Sequence, residues 1–183
     1  MRHLRQNPDF RSGHYGAMVE RVPFAELLRK LRSIEMTIYS DMSLCNPEFA
    51  ARATRLHKYL IDAHETGRTK TRFEIFESYR TPMRQRDLLK KGVSKAGPFQ
   101  SAHQFGLAMD FVPHLSPEEA AALSASTGER VFPGWNWHSS HDYRFLATAA
   151  QLFKLTVPIS WDPCHVEHPN WPQLRAAFRK YVE

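Results

Sequence analysis

The sequence predicts an α+β domain, with a small and mainly antiparallel sheet flanked by helices. Two observations lead there. Segments of helical period opened by a polar cap and a proline alternate with short aromatic or apolar runs, "TRFEIFESYR" and "LAMDFV", of strand character. The helices interrupt the strands in an uneven order, which does not build the regular strand-helix-strand units of a parallel sheet. At 183 residues and 42% apolar content, one core and one domain spanning 1–183 are expected. No repeat, linker or low-complexity tract divides the chain.

The elements follow in order. Residues 1–22 are polar, basic and glycine-containing, so an irregular N-terminal arm is expected there. After Pro23, Phe24, Leu27, Leu28, Leu31 and Ile34 recur at helical spacing. A second helix is predicted from Asn46 as cap and Pro47 as first residue, with Phe49, Ala53, Leu56, Leu60 and Ala63 on its buried face and a stop near Gly67. A strand over 71–80 then runs into a short helix opened by Thr81 and Pro82 and closed by Gly92. Residues 106–112 read as a second strand. Ser116, Pro117 and Glu119 form a capping box that starts a further helix. Another helix is expected around "DYRFLATAAQLF", and "LTVPISWDPCHVEH" supplies the last strands. A final helix from about Asn170 would bury Leu174, Ala177, Phe178 and Tyr181.

The charge balance is 25 Lys+Arg against 19 Asp+Glu, a net +6 with a pI near 9.5, which favours anionic partners such as nucleic acid, cell-wall polymers or acidic lipid. No DNA- or RNA-binding motif is present, so no specific nucleic acid is expected. Cys45 and Cys164 are too few for a disulfide framework and read as reduced, buried side chains. The N-terminus lacks the apolar core of about 7–15 residues that marks a signal peptide, and no run reaches the roughly 18 apolar residues of a membrane span. The expectation is a monomer that is cytoplasmic on synthesis.

Chemistry concentrates in "SAHQFGLAMDF", residues 101–111. On an extended strand Asp110 sits among apolar residues, where an unpaired carboxylate is costly, so a cation should meet it. His103 precedes the strand, and a turn over Gln104–Gly106 brings its ring back toward Asp110. A divalent metal satisfies both, since zinc accepts imidazole nitrogen and carboxylate oxygen. The third ligand is expected in "WDPCHVEH", where Asp162 stands three residues before His165. His103, Asp110 and His165 would then hold one catalytic zinc ion and leave Asp162 as general base.

These segments resemble the signatures of the zinc D-alanyl-D-alanine carboxypeptidases, D-Ala-D-Ala dipeptidases and L-alanyl-D-glutamate endopeptidases of bacteria and phages, a fold group that includes the Hedgehog signalling domain. "SAHQFGLAMD" is similar to SxHxxGxAxD, and "DPCHVE" to an acidic residue followed three positions later by histidine. "ESYRTPMRQRDL" is similar to a third segment, an arginine after a strand with a glutamine in the next helix. All three come in the family's order within about residues 44–175. The resemblance implies a Hedgehog/D,D-peptidase-like fold, zinc at His103, Asp110 and His165, and a general base at Asp162. Arg80 would stabilise the oxyanion or hold a substrate carboxylate, and Ser101 would contact substrate. Aspartate rather than glutamate at 162 is similar to the phage endolysin branch. That points to a peptidoglycan stem peptide cut between L-Ala and D-Glu, and the missing signal peptide and wall-binding domain suit an endolysin released to the periplasm through a holin. The departures are Glu77, where many relatives carry small residues, the inserted stretch over 113–138, and the extended N-terminal region.

Competing readings stand beside these. His57 and His64 read as boundary residues, His138 and His141 beside Asp142 as capping or solvated groups, and His168 as a lesser rival to His165. Cys164 should face away from His165 on an extended chain. Trp161 is placed at the site by its neighbour Asp162, whereas Trp135 and Trp137 are as readily core. The rival functions are a D-alanyl-D-alanine carboxypeptidase and a non-catalytic zinc-binding module of the same fold.

Overall fold

The structure, a computed structural model, describes residues 37–182 except Glu129, His138 and Ser139, together with Glu26, Arg29, Lys30, Ser33 and Met36. The arm over 1–22 and the apolar face of the helix predicted after Pro23 lie outside the described residues, as does the pairing considered for His138. Among the described residues, five α-helices pack around a four-stranded antiparallel sheet, as the sequence predicts.

Helix α1, Pro47–Glu65, is capped by Asn46, whose side chain accepts from the Glu48 and Phe49 amides. Its predicted face is its observed face: Phe49, Ala53, Leu56, Leu60 and Ala63 are all fully buried. Each of the large side chains contributes about 1.5–3 kcal/mol of burial. The stripe lies against Phe73, Phe111, Leu146 and Ala150 in one core.

Strand β1, Phe73–Glu77, leads to helix α2, Pro82–Lys90, which is capped by Thr81 as predicted. The strand is shorter than the 71–80 expected: its ladder passes a register irregularity between Ile75 and Glu77 and ends on the Glu77–Asp110 pair, beyond which the Ser78 amide turns to Tyr39 O. Strand β2, Ala108–Leu115, is the centre of the sheet. It begins two residues later than predicted because the Leu107 amide closes the preceding turn on Ala102 O. It also runs on through Pro113 to pair with strand β3, Gly134–Trp135, within the inserted segment. Between them lies helix α3, Pro117–Thr127, with the predicted Ser116 and Glu119 capping box.

Helix α4, Ser140–Leu152, buries Tyr143, Leu146, Ala149 and Ala150. Strand β4, His165–Glu167, is the only regular strand formed by the "LTVPISWDPCHVEH" segment. Helix α5, Trp171–Val182, starts within one residue of the expected Asn170, but Leu174, at 40%, and Ala177 are exposed rather than buried, while the side chains of Phe178 and Tyr181 lie outside the described residues. Helical periodicity located that stripe without showing which part of it another element covers.

One pairing detail positions the site. Asp110 on β2 is in register with Glu77 of β1 on one side and with His165 of β4 on the other. Three ionisable side chains that are distant in sequence thus form one row across three strands.

Candidate metal centre and catalytic groove

His103 reaches this row from a short turn, Ala102–Phe105, which Gly106 ends in the left-handed conformation at φ 64°. A Cβ at Gly106 would stand 2.8 Å from both Asn46 N and Cys45 Cα. The Asn46 amide also donates to Gly106 O at 2.9 Å, so the start of α1 is bolted onto the turn that carries His103.

His103 Nε2, Asp110 Oδ1 and His165 Nδ1 form a nearly equilateral triangle. His103 Nε2 is 3.1 Å from both other atoms, and His165 Nδ1 is 3.3 Å from Asp110 Oδ1. All three residues are buried, and theirs is the group of potential metal ligands found among the described residues. The opposite ring nitrogens identify the tautomers: His103 Nδ1 faces Ser78 O at 2.9 Å and His165 Nε2 faces Glu167 Oε2 at 3.0 Å. Both outer partners are acceptors, so both outer nitrogens donate. In the neutral rings, the inner nitrogens then point lone pairs at the same place as the Asp110 oxygen. Three converging acceptors need a cation between them. Zinc with ligand distances of about 2.0–2.2 Å gives tetrahedral edges of about 3.3–3.6 Å, slightly longer than the sides of the triangle, so the donor set fits it in type and, with a slight opening, in size.

Without a metal, a proton must serve. Burial pulls the His165 pKa down, but hydrogen bonds to Asp110 and Glu167 outweigh it and raise it to about 9. For Asp110, burial pushes upward, yet His103, His165 and Arg80 together hold the carboxyl well below its usual range.

Arg80 is tied to the same row. Its Nε and Nη2 donate to Glu77 Oε2 at 2.9 and 2.7 Å, Nη1 donates to Gln85 Oε1 at 3.0 Å, and Nη2 also reaches Asp110 Oδ2 at 3.2 Å. Arg84 Nε closes the second oxygen of Glu77. The Arg80 side chain is 10% exposed and Glu77 only 1%. Glu77, which departs from the resembled pattern, is therefore the counter-ion of two arginines. Arg80 in turn holds Asp110 Oδ2 and leaves Oδ1 toward the histidines.

Beside the triangle lies a groove made of two adjoining cavities of about 380 and 300 Å³. Arg80, Ser94, Trp161 and Asp162 line both. Phe76, Leu88, Val93, Trp137 and Tyr143 give the larger an apolar, aromatic wall, while Lys95, Ser101, His165 and Trp171 line the smaller. Asp162 Oδ1 accepts from the Cys164 thiol at 3.2 Å. Burial and the neighbouring Asp110 and Asp162 raise that thiol's pKa, so it stays a donor. A more open recess of about 700 Å³ over the far end of β2, beside Arg72, His114 and Trp135, contains no cluster of ligating groups.

The residues assigned a role in the site from the sequence come together here: His103, Asp110 and His165 in the triangle, and Arg80, Ser101, Trp161 and Asp162 on the groove. His168 stays outside, 3.9 Å from Glu48, and Cys164 is not in the ligating group. His57 and His64 each lie 3.6 Å from a glutamate, Glu74 and Glu119, away from the centre. Trp135 and Trp137 are both 42% exposed and flank Phe76 edge-on, so core packing is not their role. Sequence reasoning missed Glu167, Ser78 and the bridging part of Glu77. Only Glu167 left a signal, since a residue two beyond His165 on a strand shares its face.

No protein-family model and no curated protein matches the chain. Among solved structures, it is similar to the L-Ala D-Glu endopeptidase ChiX of Serratia marcescens, at 18% identity and a TM-score of 0.48 over 78% of this chain and 98% of that one. It is similar to the LD-carboxypeptidase LdcB at 17% identity and a TM-score of 0.44, over 73% of this chain and 64% of that one. A mutant VanY D,D-pentapeptidase in complex with Zn(II) follows at 18% identity and a TM-score of 0.37, over 70% and 82% of the two chains. These likenesses are loose.

Proposed function

We propose that this chain is a zinc peptidase that hydrolyses peptidoglycan stem peptides between L-Ala and D-Glu. The observation that carries the reading is the buried convergence of His103 Nε2, Asp110 Oδ1 and His165 Nδ1, whose tautomers are fixed from outside, on a groove lined by Arg80 and Asp162. The peptidoglycan substrate is drawn from the resemblance of the segments carrying these residues.

His103, Asp110 and His165 would hold the ion, with Ser78 O and Glu167 orienting the two rings. Bound zinc would acidify a water and polarise the scissile carbonyl. Asp162 accepts the proton from the attacking water and returns it to the departing amine. Arg80 offers its remaining Nη1 hydrogen to the developing oxyanion, and its charge persists because, although burial lowers its pKa, Asp110 and Glu77 raise it further. The net charge of +6 favours encounter with an anionic envelope.

Zinc-loaded protein incubated with purified sacculi should yield muropeptides with new D-Glu amino termini in mass spectrometry. Loss of a single terminal D-Ala would instead identify a D,D-carboxypeptidase, and no cleavage with zinc bound would favour the non-catalytic module. Asp162→Asn should keep its zinc and lose about 100–1000-fold in rate. Near-normal turnover in that variant would remove Asp162 from the base role.

A further inference from the structure

Lys95 and Trp161 come from different loops and meet over the smaller cavity, with the lysine Nζ 4.7 Å from the centre of the indole ring. Both are exposed, with Trp161 at 49%. The other cations of the groove are already committed: Arg80 to Glu77 and Asp110, and Arg84 to Glu77. Lys95 has no carboxylate within ion-pair distance among the described residues. Asp162 meanwhile places a negative charge on the groove that would repel an anionic substrate. Charge therefore divides the groove into an aromatic end and an end with one available ammonium, which the Trp161 face holds beside the cavity.

We propose that Lys95 reads a free α-carboxylate on the substrate residue that supplies the leaving amine. This deepens the peptidase reading and rests on it. Within a stem peptide D-Glu is joined onward through its γ-carboxyl, so its α-carboxylate stays free on the carbon bearing the amide nitrogen that Asp162 reprotonates. A terminal D-Ala presents the same arrangement, so Lys95 serves either bond. Lys95 is thus a specificity residue rather than a proton carrier, and its effect falls on KM.

The test compares zinc-loaded wild type, Lys95→Met and Lys95→Arg on L-Ala-D-Glu(γ-L-Lys) and on its D-isoglutamine counterpart, in which a neutral carboxamide replaces the α-carboxylate. Wild type should prefer the carboxylate by about tenfold in kcat/KM, mostly through KM, as expected of one charge-assisted contact. Lys95→Met should lose that preference, its kcat/KM on the carboxylate substrate falling toward the value for the carboxamide, and Lys95→Arg should restore most of it. Tryptophan fluorescence titration with the product γ-D-Glu-L-Lys and its α-amide reads the same preference without turnover. Unchanged melting temperatures will show that the exposed substitutions leave the fold intact. Should Lys95→Met keep the preference, or wild type show none, the inference fails while the peptidase reading stands. Lys95-dependent binding without hydrolysis would sink the peptidase and leave a carboxylate site. Absence of both overturns both.

Discussion

His165 donates from Nε2 to Glu167 Oε2 at 3.0 Å, two residues along the same strand and on the same face. The contact fixes Nδ1 as the nitrogen that turns to His103 and Asp110 and makes it a stronger electron-pair donor. Glu167→Gln keeps an acceptor but removes the charge, so zinc affinity should fall about 10–100-fold with the fold intact. Competition against a chromogenic chelator measures this. Undiminished affinity would show that the outer contact does not tune the site.

Arg80 is predicted to support the centre as well as the reaction. Arg80→Ala leaves Asp110 Oδ2 bare and Glu77 with Arg84 alone, inside a buried ionic row. The loss of stability should be about 3–5 kcal/mol in urea unfolding, together with weaker zinc binding. Arg80→Lys keeps the charge without the fork and should recover only part of either. If Arg80→Ala lost activity alone, with stability and zinc binding intact, only the oxyanion role would remain.

Gly106→Ala should be costly for two separable reasons, the left-handed backbone and the contact with the backbone at Cys45 and Asn46. A destabilisation of about 2–4 kcal/mol is expected. Gly92 has nearly the same φ of 70°, but a methyl carbon placed there would meet nothing within 4 Å, so Gly92→Ala reports the backbone part alone. That part should be about 1 kcal/mol. Equal losses in the two variants would mean that the close approach of α1 carries no energy.

The pH dependence of the metal-free protein follows from two opposite shifts. The raised His165 pKa stabilises the fold fully below 6.5, and that contribution is lost as pH rises through about 9. Asp110 is lowered, so its contribution is present above 3.8 and lost as pH falls through its folded value. Chelator-treated protein should therefore be most stable between about pH 4 and 6.5 as far as this cluster is concerned. Zinc must displace the His165 proton, so its affinity should climb about tenfold per pH unit from 6.5 toward 9. Calorimetry in buffers of different ionisation enthalpy would count the released proton, and a pH-independent affinity would contradict the picture.

The sequence by itself determined the α1 face, the three proline-marked helix starts and the reason that His103 and Asp110 stand seven residues apart. Those are local facts, set by periodicity, caps and a turn that needs glycine. Strand limits were less legible, because β1 stops and β2 starts where particular backbone groups find other partners. Only the tertiary structure decided that Asp110 lies between Glu77 and His165, that Glu77 binds two arginines, and that Leu174 faces outward. Register across a sheet and the occupancy of each donor are settled by which distant segments pack together. No spacing along the chain encodes that choice, which is why the approach of His103 to Asp110 could be read from the sequence and the ionic row around them could not.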